Sequence, residues 1–411
     1  MTSSIPITPG IQTYRNSRAA QDVERYGDVR TLVMSQAGFE AAYAEIRQWP
    51  GYAPTPMVEL PRLAQELGLA RLSYKDESKR FALKSFKALG GAYAVFRLIQ
   101  QLVAQHTGHV PTASEILSGK HRDLVSTLTV TCATDGNHGR SVAWGAQTFG
   151  CRCVIYVHAL VSESRADAIA QFGAEVIRIA GNYDDSVRHA AEQAQVNGWT
   201  VVSDTTYEGY RDIPIDVMHG YGVMAQEVVS VMGDEPPTHV IVQAGVGAFA
   251  AAICAVFWLA WGRQRPRFVV VEPQKAACLF ESARADHPVA IQGDLDTVMA
   301  GLACGEVSPV AWEILRAGVN DFTKIDDQFA LDAMKRLAKP VGQDRAIVSG
   351  ETGAAGLGLL LAANQSADLR RSLGLDRGAH VLLLGSEGDT DPAIYRDVVG
   401  KTAQEVLALS H

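Results

Sequence analysis

The sequence predicts an α/β protein with two open, mostly parallel twisted sheets flanked by helices, the smaller domain inserted in the larger. Three observations lead there. Short β-branched runs alternate with helical stretches, first from Leu128 to Val202 and again from His239 to Leu384, and such alternation implies right-handed crossovers between parallel strands. The chain has 411 residues, more than one ordinary core accommodates. The first alternating series also interrupts the second in sequence, so a large domain of 1–120 with 205–411 and a small inserted domain of 121–204 are expected.

Taken in order, the polar N-terminal stretch gives way to Phe39, Tyr43 and Ile46, the apolar face of a short helix that Pro50-Gly51 and Pro54-Thr55-Pro56 terminate. A helix over Pro61–Leu69 leads to a strand at Leu72–Tyr74 and a charged turn, Lys75–Arg80. Next comes Leu83-Lys84-Ser85-Phe86-Lys87-Ala88-Leu89-Gly90-Gly91-Ala92, with a buried helix expected from Lys87 to about Gln105. In the first series, strands at Leu128–Cys132, Val154–Val157, Val176-Ile177 and Val201-Val202 alternate with helices from about His138, Ser162 and Asp184. In the second, strands are expected at His239–Val242, Phe268–Val271, Ile347-Val348 and Val381–Leu384. Val240–Gly262 is uncharged and long enough to raise the question of a membrane span. Its β-branched start, the turn Gly245-Val246-Gly247 and the alanine-rich Phe249–Trp261 instead divide it into strand, turn and buried helix.

Composition narrows the chemistry. A net charge of −8 without a basic cluster argues against nucleic acid. The six cysteines form no CxxC pair, so no metal cluster is expected. Met1–Gly10 has neither a basic start nor an apolar core of the leader type, and a cytoplasmic protein with reduced thiols and no membrane attachment is expected.

Ligands of open α/β sheets lie at the carboxyl ends of the strands, and the residues there are distinctive. Thr134-Asp135-Gly136-Asn137-His138-Gly139-Arg140 presents a carboxylate and an amide, although Asn137 and His138 can equally cap the following helix. His138 is read as structural. Gln243-Ala244-Gly245-Val246-Gly247-Ala248 allows backbone N–H groups to approach a phosphate at a helix N-terminus. A lone GxG is often only a tight turn, and the full dinucleotide fingerprint is absent. Ser386 lies in Gly385-Ser386-Glu387-Gly388-Asp389-Thr390-Asp391, where the serine can be a plain turn residue and the two aspartates helix caps. Asp204 follows Val201-Val202 and can be a solvated turn acid. Lys87, at a helix start beside Phe86, is the candidate nucleophile: partial desolvation favours the neutral amine that condenses with an aldehyde. The competing reading is a lysine that merely snorkels from the first helical turn.

Together these segments resemble the tryptophan-synthase-β-like (fold type II) pyridoxal-phosphate enzymes, and within them the ammonia-lyases that act on diaminopropionate. Further matching segments are Pro50–Pro56, Asp204-Thr205 with Glu208-Gly209-Tyr210, Thr297–Glu306, Ser349-Gly350-Glu351-Thr352-Gly353 and Glu387–Pro392, so the likeness covers nearly everything beyond residue 35. Asp135 is informative, because threonine deaminases and serine racemases of this fold have a serine-type residue there. Lys84-Ser85, Thr206-Tyr207 and Gly385-Ser386 depart from the usual pattern.

The resemblance implies pyridoxal 5'-phosphate as cofactor, bound as a Schiff base to Lys87. Phe86 would lie beside it, Asn137 would bond its phenolic oxygen, and Gly245, Val246, Gly247 and Ala248 would cradle its phosphate. Ser386 would face the pyridine nitrogen and leave it unprotonated, which suits elimination. Lys87, Asp135 and Asp204 would be catalytic, eliminating ammonia from a small amino-acid substrate, 2,3-diaminopropionate of either hand, to give pyruvate and two ammonia. A hydroxyamino-acid dehydratase or racemase on the same scaffold is the alternative, and a binding protein without turnover is another. A homodimer is expected. Similar enzymes also suggest that Cys278 and Cys304 lie close enough to bridge, against the simpler expectation of two reduced thiols.

Overall fold

The computed structural model describes residues 9–19, 26–134, 136–340 and 342–410. It divides into two compact units, one of 1–36, 54–84 and 224–411, the other of 37–53 and 85–223. The second is wider than the expected 121–204, because the helix Lys87–Thr107 packs against the helix Asn137–Phe149. Glycines make that contact close: a Cβ at Gly145 would lie 2.7 Å from Ala92 Cα, and one at Gly91 would lie 2.3 Å from Ser141 Oγ. The lysine segment therefore belongs to the smaller unit.

In chain order the strands are β1 Ile11–Arg15, β2 Met57–Glu59, β3 Arg71–Asp76, β4 Thr129–Ala133, β5 Arg152–Val157, β6 Glu175–Arg178, β7 Thr200–Val201, β8 His239–Gln243, β9 Arg267–Pro273, β10 Asp321–Ile325 and β11 His380–Gly385. The larger unit holds a seven-stranded sheet in the order β1-β10-β9-β8-β11-β3-β2. Its five inner strands run parallel and the two edge strands antiparallel. β8 and β11 are buried along their whole length, which explains the apolar runs Val240–Val242 and Val381–Leu384 within them. The smaller unit holds an all-parallel sheet in the order β6-β5-β4-β7.

Most expected elements are present, and Val240–Gly262 does divide into β8, a glycine turn and the helix Ala248–Trp261. No described helix is long and apolar enough to cross a membrane. Ile347-Val348 is a correction: both residues are buried, but in irregular backbone ahead of the helix Glu351–Asn364. Burial alone accounts for their apolar character. β10 has no counterpart among the expected strands, because Asp321 and Lys324 break its apolar pattern. Asp321 is buried there in a two-pronged ion pair with Arg267, at 2.7 and 3.0 Å.

A buried polar network fixes the turn after β3. Arg80, 1% exposed, donates to Glu77 and to Glu227 at 2.8–2.9 Å. Lys75 reaches Glu227 at 2.5 Å and the carbonyl of Thr55 at 2.7 Å. Just beyond, three non-glycine residues take left-handed backbone, Phe81 at φ 47°, Ala82 at 59° and Lys84 at 58°, each costing on the order of 1–2 kcal/mol. Lys84 Nζ is paired with Asp389 at 2.8 Å. Because removing one partner leaves buried charge uncompensated, Arg80→Ala is expected to lose about 3–5 kcal/mol of stability. Denaturant unfolding followed by circular dichroism checks this, and a loss under about 1 kcal/mol, the range of an exposed pair, contradicts it.

Candidate active site

In the smaller unit, Lys87 opens the helix Lys87–Thr107 and its carbonyl accepts a 2.6 Å hydrogen bond from Ser141 Oγ on the neighbouring helix. Its ammonium lies 5.4 Å from the Phe86 ring centroid and 5.5 Å from that of Tyr221, within cation–π range. The two rings touch, with centroids 4.7 Å apart, and Gly90 makes room for Tyr221, since a Cβ there would lie 2.3 Å from its ring. Lys87 Nζ is ion-paired and hydrogen-bonded to Asp204, and the two side chains are 19% and 18% exposed.

This pairing corrects the expectation of a neutral lysine. Burial is the largest single influence and disfavours the Lys87 ammonium, but Asp204 and Tyr221 together outweigh it and the net shift is upward. For Asp204 the effects again oppose each other: burial pushes its pKa up, while Lys87 foremost, with His138 and backbone hydrogen bonding, together pull it further down, to a net value below the ordinary 3.8. The signs fix the pH window. The carboxylate's stabilisation is complete above 3.8 and is lost as pH falls through its folded-state value. The ammonium's is complete below 10.5 and is lost as pH rises through its own. Between those limits the resting pair is charged on both sides.

Asn137 begins the helix Asn137–Phe149. The cap that Asn137 or His138 was open to provide comes from Thr134 instead, whose Oγ1 accepts from the N–H groups of Gly136 and Gly139, each at 3.0 Å. His138 is buried, and its Nε2 donates to the Val202 carbonyl at 2.8 Å, in keeping with a structural reading. Burial lowers its pKa, which favours the neutral ring. Asp135 lies outside the described residues.

In the larger unit, Gly245-Val246-Gly247 joins β8 to the helix Ala248–Trp261, with Gly247 at φ 97° and no side chain capping the helix start. A Cβ at Gly245 would sit 3.0 Å from Cys304 Sγ and 3.3 Å from the Gly301 carbonyl. The result is a turn whose two glycines leave the backbone open at Gly245 and Gly247, with a helix N-terminus behind it, suited to an anion. Ser386, fully buried after β11, accepts a 2.6 Å hydrogen bond from Gln243 Nε2. Gln243 also donates to Leu384 O at 2.8 Å, and its Oε1 is a buried acceptor with no partner among the described residues. Asp391 caps the helix Pro392–Val399, while Asp389 serves Lys84. No disulfide joins Cys278 and Cys304 among the described residues, and Cys278 Sγ donates weakly to Gly245 O at 3.6 Å.

Sequence reasoning did not find Ser141, Tyr221 or the capping role of Thr134. No local signal marks the first two, because each meets Lys87 from a helix distant in sequence.

Comparison with known proteins shows the family. Residues 48–386 match the family described as pyridoxal-phosphate dependent enzyme. The diaminopropionate ammonia-lyase of Escherichia coli (strain K12) is 43% identical over 356 residues, 85% of this chain and 88% of that protein. The structure of the Escherichia coli diaminopropionate ammonia lyase in complex with D-serine is similar at a TM-score of 0.86 and 38% identity, covering 96% of this chain and 98% of that one. Its complex with an aminoacrylate-PLP azomethine reaction intermediate gives a TM-score of 0.82 and 39% identity, over 95% and 96% of the two chains.

Proposed function

The chain belongs to the pyridoxal-phosphate dependent enzymes, and from that premise we propose that it is the ammonia-lyase that converts 2,3-diaminopropionate, D or L, to pyruvate and two ammonia. The observation that carries this reading is the ion pair of Lys87 with Asp204, a latent nucleophile and a proton acceptor in contact.

The residues present fit the cofactor. The turn at Gly245, Val246, Gly247 and Ala248 would hold its phosphate, and a Cβ at position 245 would crowd that turn against Cys304. Phe86, Asn137 and Ser386 would hold and orient its ring. When bound, pyridoxal phosphate supplies a ring into which the electrons of a Cα–H bond can be drawn.

Asp204 begins ionised because Lys87 is charged. To act as a nucleophile Lys87 must lose a proton, and Asp204 is the acceptor in contact with it. Once the lysine charge is gone, the chief influence depressing Asp204 is gone too, and burial favours its protonated form. Asp204 thereby becomes the acid that protonates the departing β-amine, whose C–N bond breaks with its electron pair going to nitrogen. The amine of Lys87, free when substrate has displaced it, takes the Cα proton of the L-isomer, and Asp135 takes that of the D-isomer. The released enamine adds water and gives pyruvate and the second ammonia.

The reading includes a cytoplasmic homodimer that binds neither membrane nor nucleic acid, and the net charge of −8 supports the last of these. Pyruvate release from D- and L-diaminopropionate, compared with serine and threonine, tests the substrate. Faster release from serine or threonine would make the enzyme a dehydratase, and no release from any amino acid would remove the catalytic reading.

A further inference from the structure

We propose that Tyr210 is a positioning residue for Asp204, its phenol bracing the short backbone segment that delivers the carboxylate to Lys87. This rests on the catalytic roles just assigned to those two residues.

β7 has only two residues and, among the described residues, pairs with β4 alone, so the sheet does little to fix the chain that leaves it. Side chains do this instead. Tyr210 Oη donates to Val201 O at 2.9 Å and accepts from Ser203 N at 2.9 Å. Between these two bonds, His138 Nε2 donates to Val202 O at 2.8 Å, and Val202 N donates to Thr131 O at 2.8 Å. The three residues before Asp204 are therefore tied at four points, two of them on one phenol oxygen.

The tyrosine is itself held. Its ring stacks on Tyr207, centroids 4.8 Å apart and planes 13° apart, and the two residues exchange backbone hydrogen bonds at 2.9 and 3.3 Å. Residues 203–210 thus form a closed loop with Tyr210 at its neck and the half-exposed Tyr207 stacked on it. An ion pair responds steeply to separation in a partly buried setting. Slack at the neck should loosen the contact of Asp204 with Lys87 while leaving both residues present.

Tyr210→Phe keeps the ring and its stack and removes both neck bonds. One to two ordinary hydrogen bonds correspond to a loss of about tenfold to a hundredfold, and kcat should fall by that amount on both isomers. A purely structural tyrosine could also lower kcat, so the deciding readout is taken on cofactor-free protein: the rate at which trinitrobenzenesulfonate modifies Lys87 at pH 8, read by peptide mapping. A looser pair lowers the lysine pKa, and a shift of about one unit raises the neutral fraction, hence the rate, about tenfold. Asp204→Asn sets the upper limit of that increase. Tyr210→His, which retains a ring donor, should fall between wild type and Tyr210→Phe, and thermal unfolding confirms that each variant is folded.

An unchanged labelling rate in folded Tyr210→Phe overturns the proposal, whether or not kcat falls. If labelling rises while Asp204→Asn leaves turnover intact, Tyr210 still positions Asp204 and it is the catalytic role of Asp204 that fails.

Discussion

Lys87→Ala is expected to abolish both the long-wavelength absorbance of a lysine-linked cofactor and turnover on either isomer, a loss of more than about four powers of ten, because one side chain serves as cofactor anchor and as base. The fold should survive, since the helix it opens is held by its buried face and by backbone contacts that alanine preserves. Borohydride reduction of the wild type followed by peptide mapping identifies the attached residue. A reduced pyridoxyl group on Lys84 would overturn the assignment. Lys84 is the pertinent competitor: it lies three residues away and is more exposed, at 38%, but its ammonium is committed to Asp389. An external amine added to Lys87→Ala could restore part of the L-directed activity, as the lost function is that of a small amine.

Asp135→Asn should separate the two isomers. With Asp135 as the proton acceptor on the D-side, elimination from the D-isomer should drop by about two to four powers of ten, while the L-isomer, served by Lys87, keeps more of its rate. The competing account gives Asp135 only the task of shaping the loop that carries Asn137, and then both isomers decline together as cofactor binding weakens. Measuring kcat on each isomer at saturating cofactor, with the visible spectrum checking occupancy, decides between them. Equal losses with cofactor fully bound would mean that the D-side assignment is wrong.

The sequence made the two sheets legible because buried parallel strands are written as short apolar runs and each is followed by a helix. It concealed β10, where Asp321 is buried against Arg267, since one sequence gives no sign of which charge will be neutralised by a distant partner. It suggested a strand at Ile347-Val348 for the converse reason: a buried loop and a buried strand look alike when only hydrophobicity is read. At the site, Lys87 and Asp204 were legible as residues, but not their electrostatic state. Desolvation can be guessed from an apolar helix. The opposing carboxylate, 117 positions away in the chain, is visible only once the fold brings it into contact. Tyr221 and Ser141 were hidden for the same reason, and the small unit was underestimated because the packing of its two expected helices on each other, close at Gly91 and Gly145, cannot be read from either helix alone.

The left-handed run at Phe81, Ala82 and Lys84 has a consequence for redesign. In a library selected for folding alone, these positions would drift toward glycine or asparagine, which occupy that region at little cost. A chain that carries three bulkier residues there has accepted a thermodynamic handicap in a segment where the alternatives are a single codon choice away from relief. Engineering for robustness would therefore find its easiest gains at Phe81 and Ala82, and its hardest choice at Lys84, where relaxing the backbone also discards the side chain that Asp389 holds.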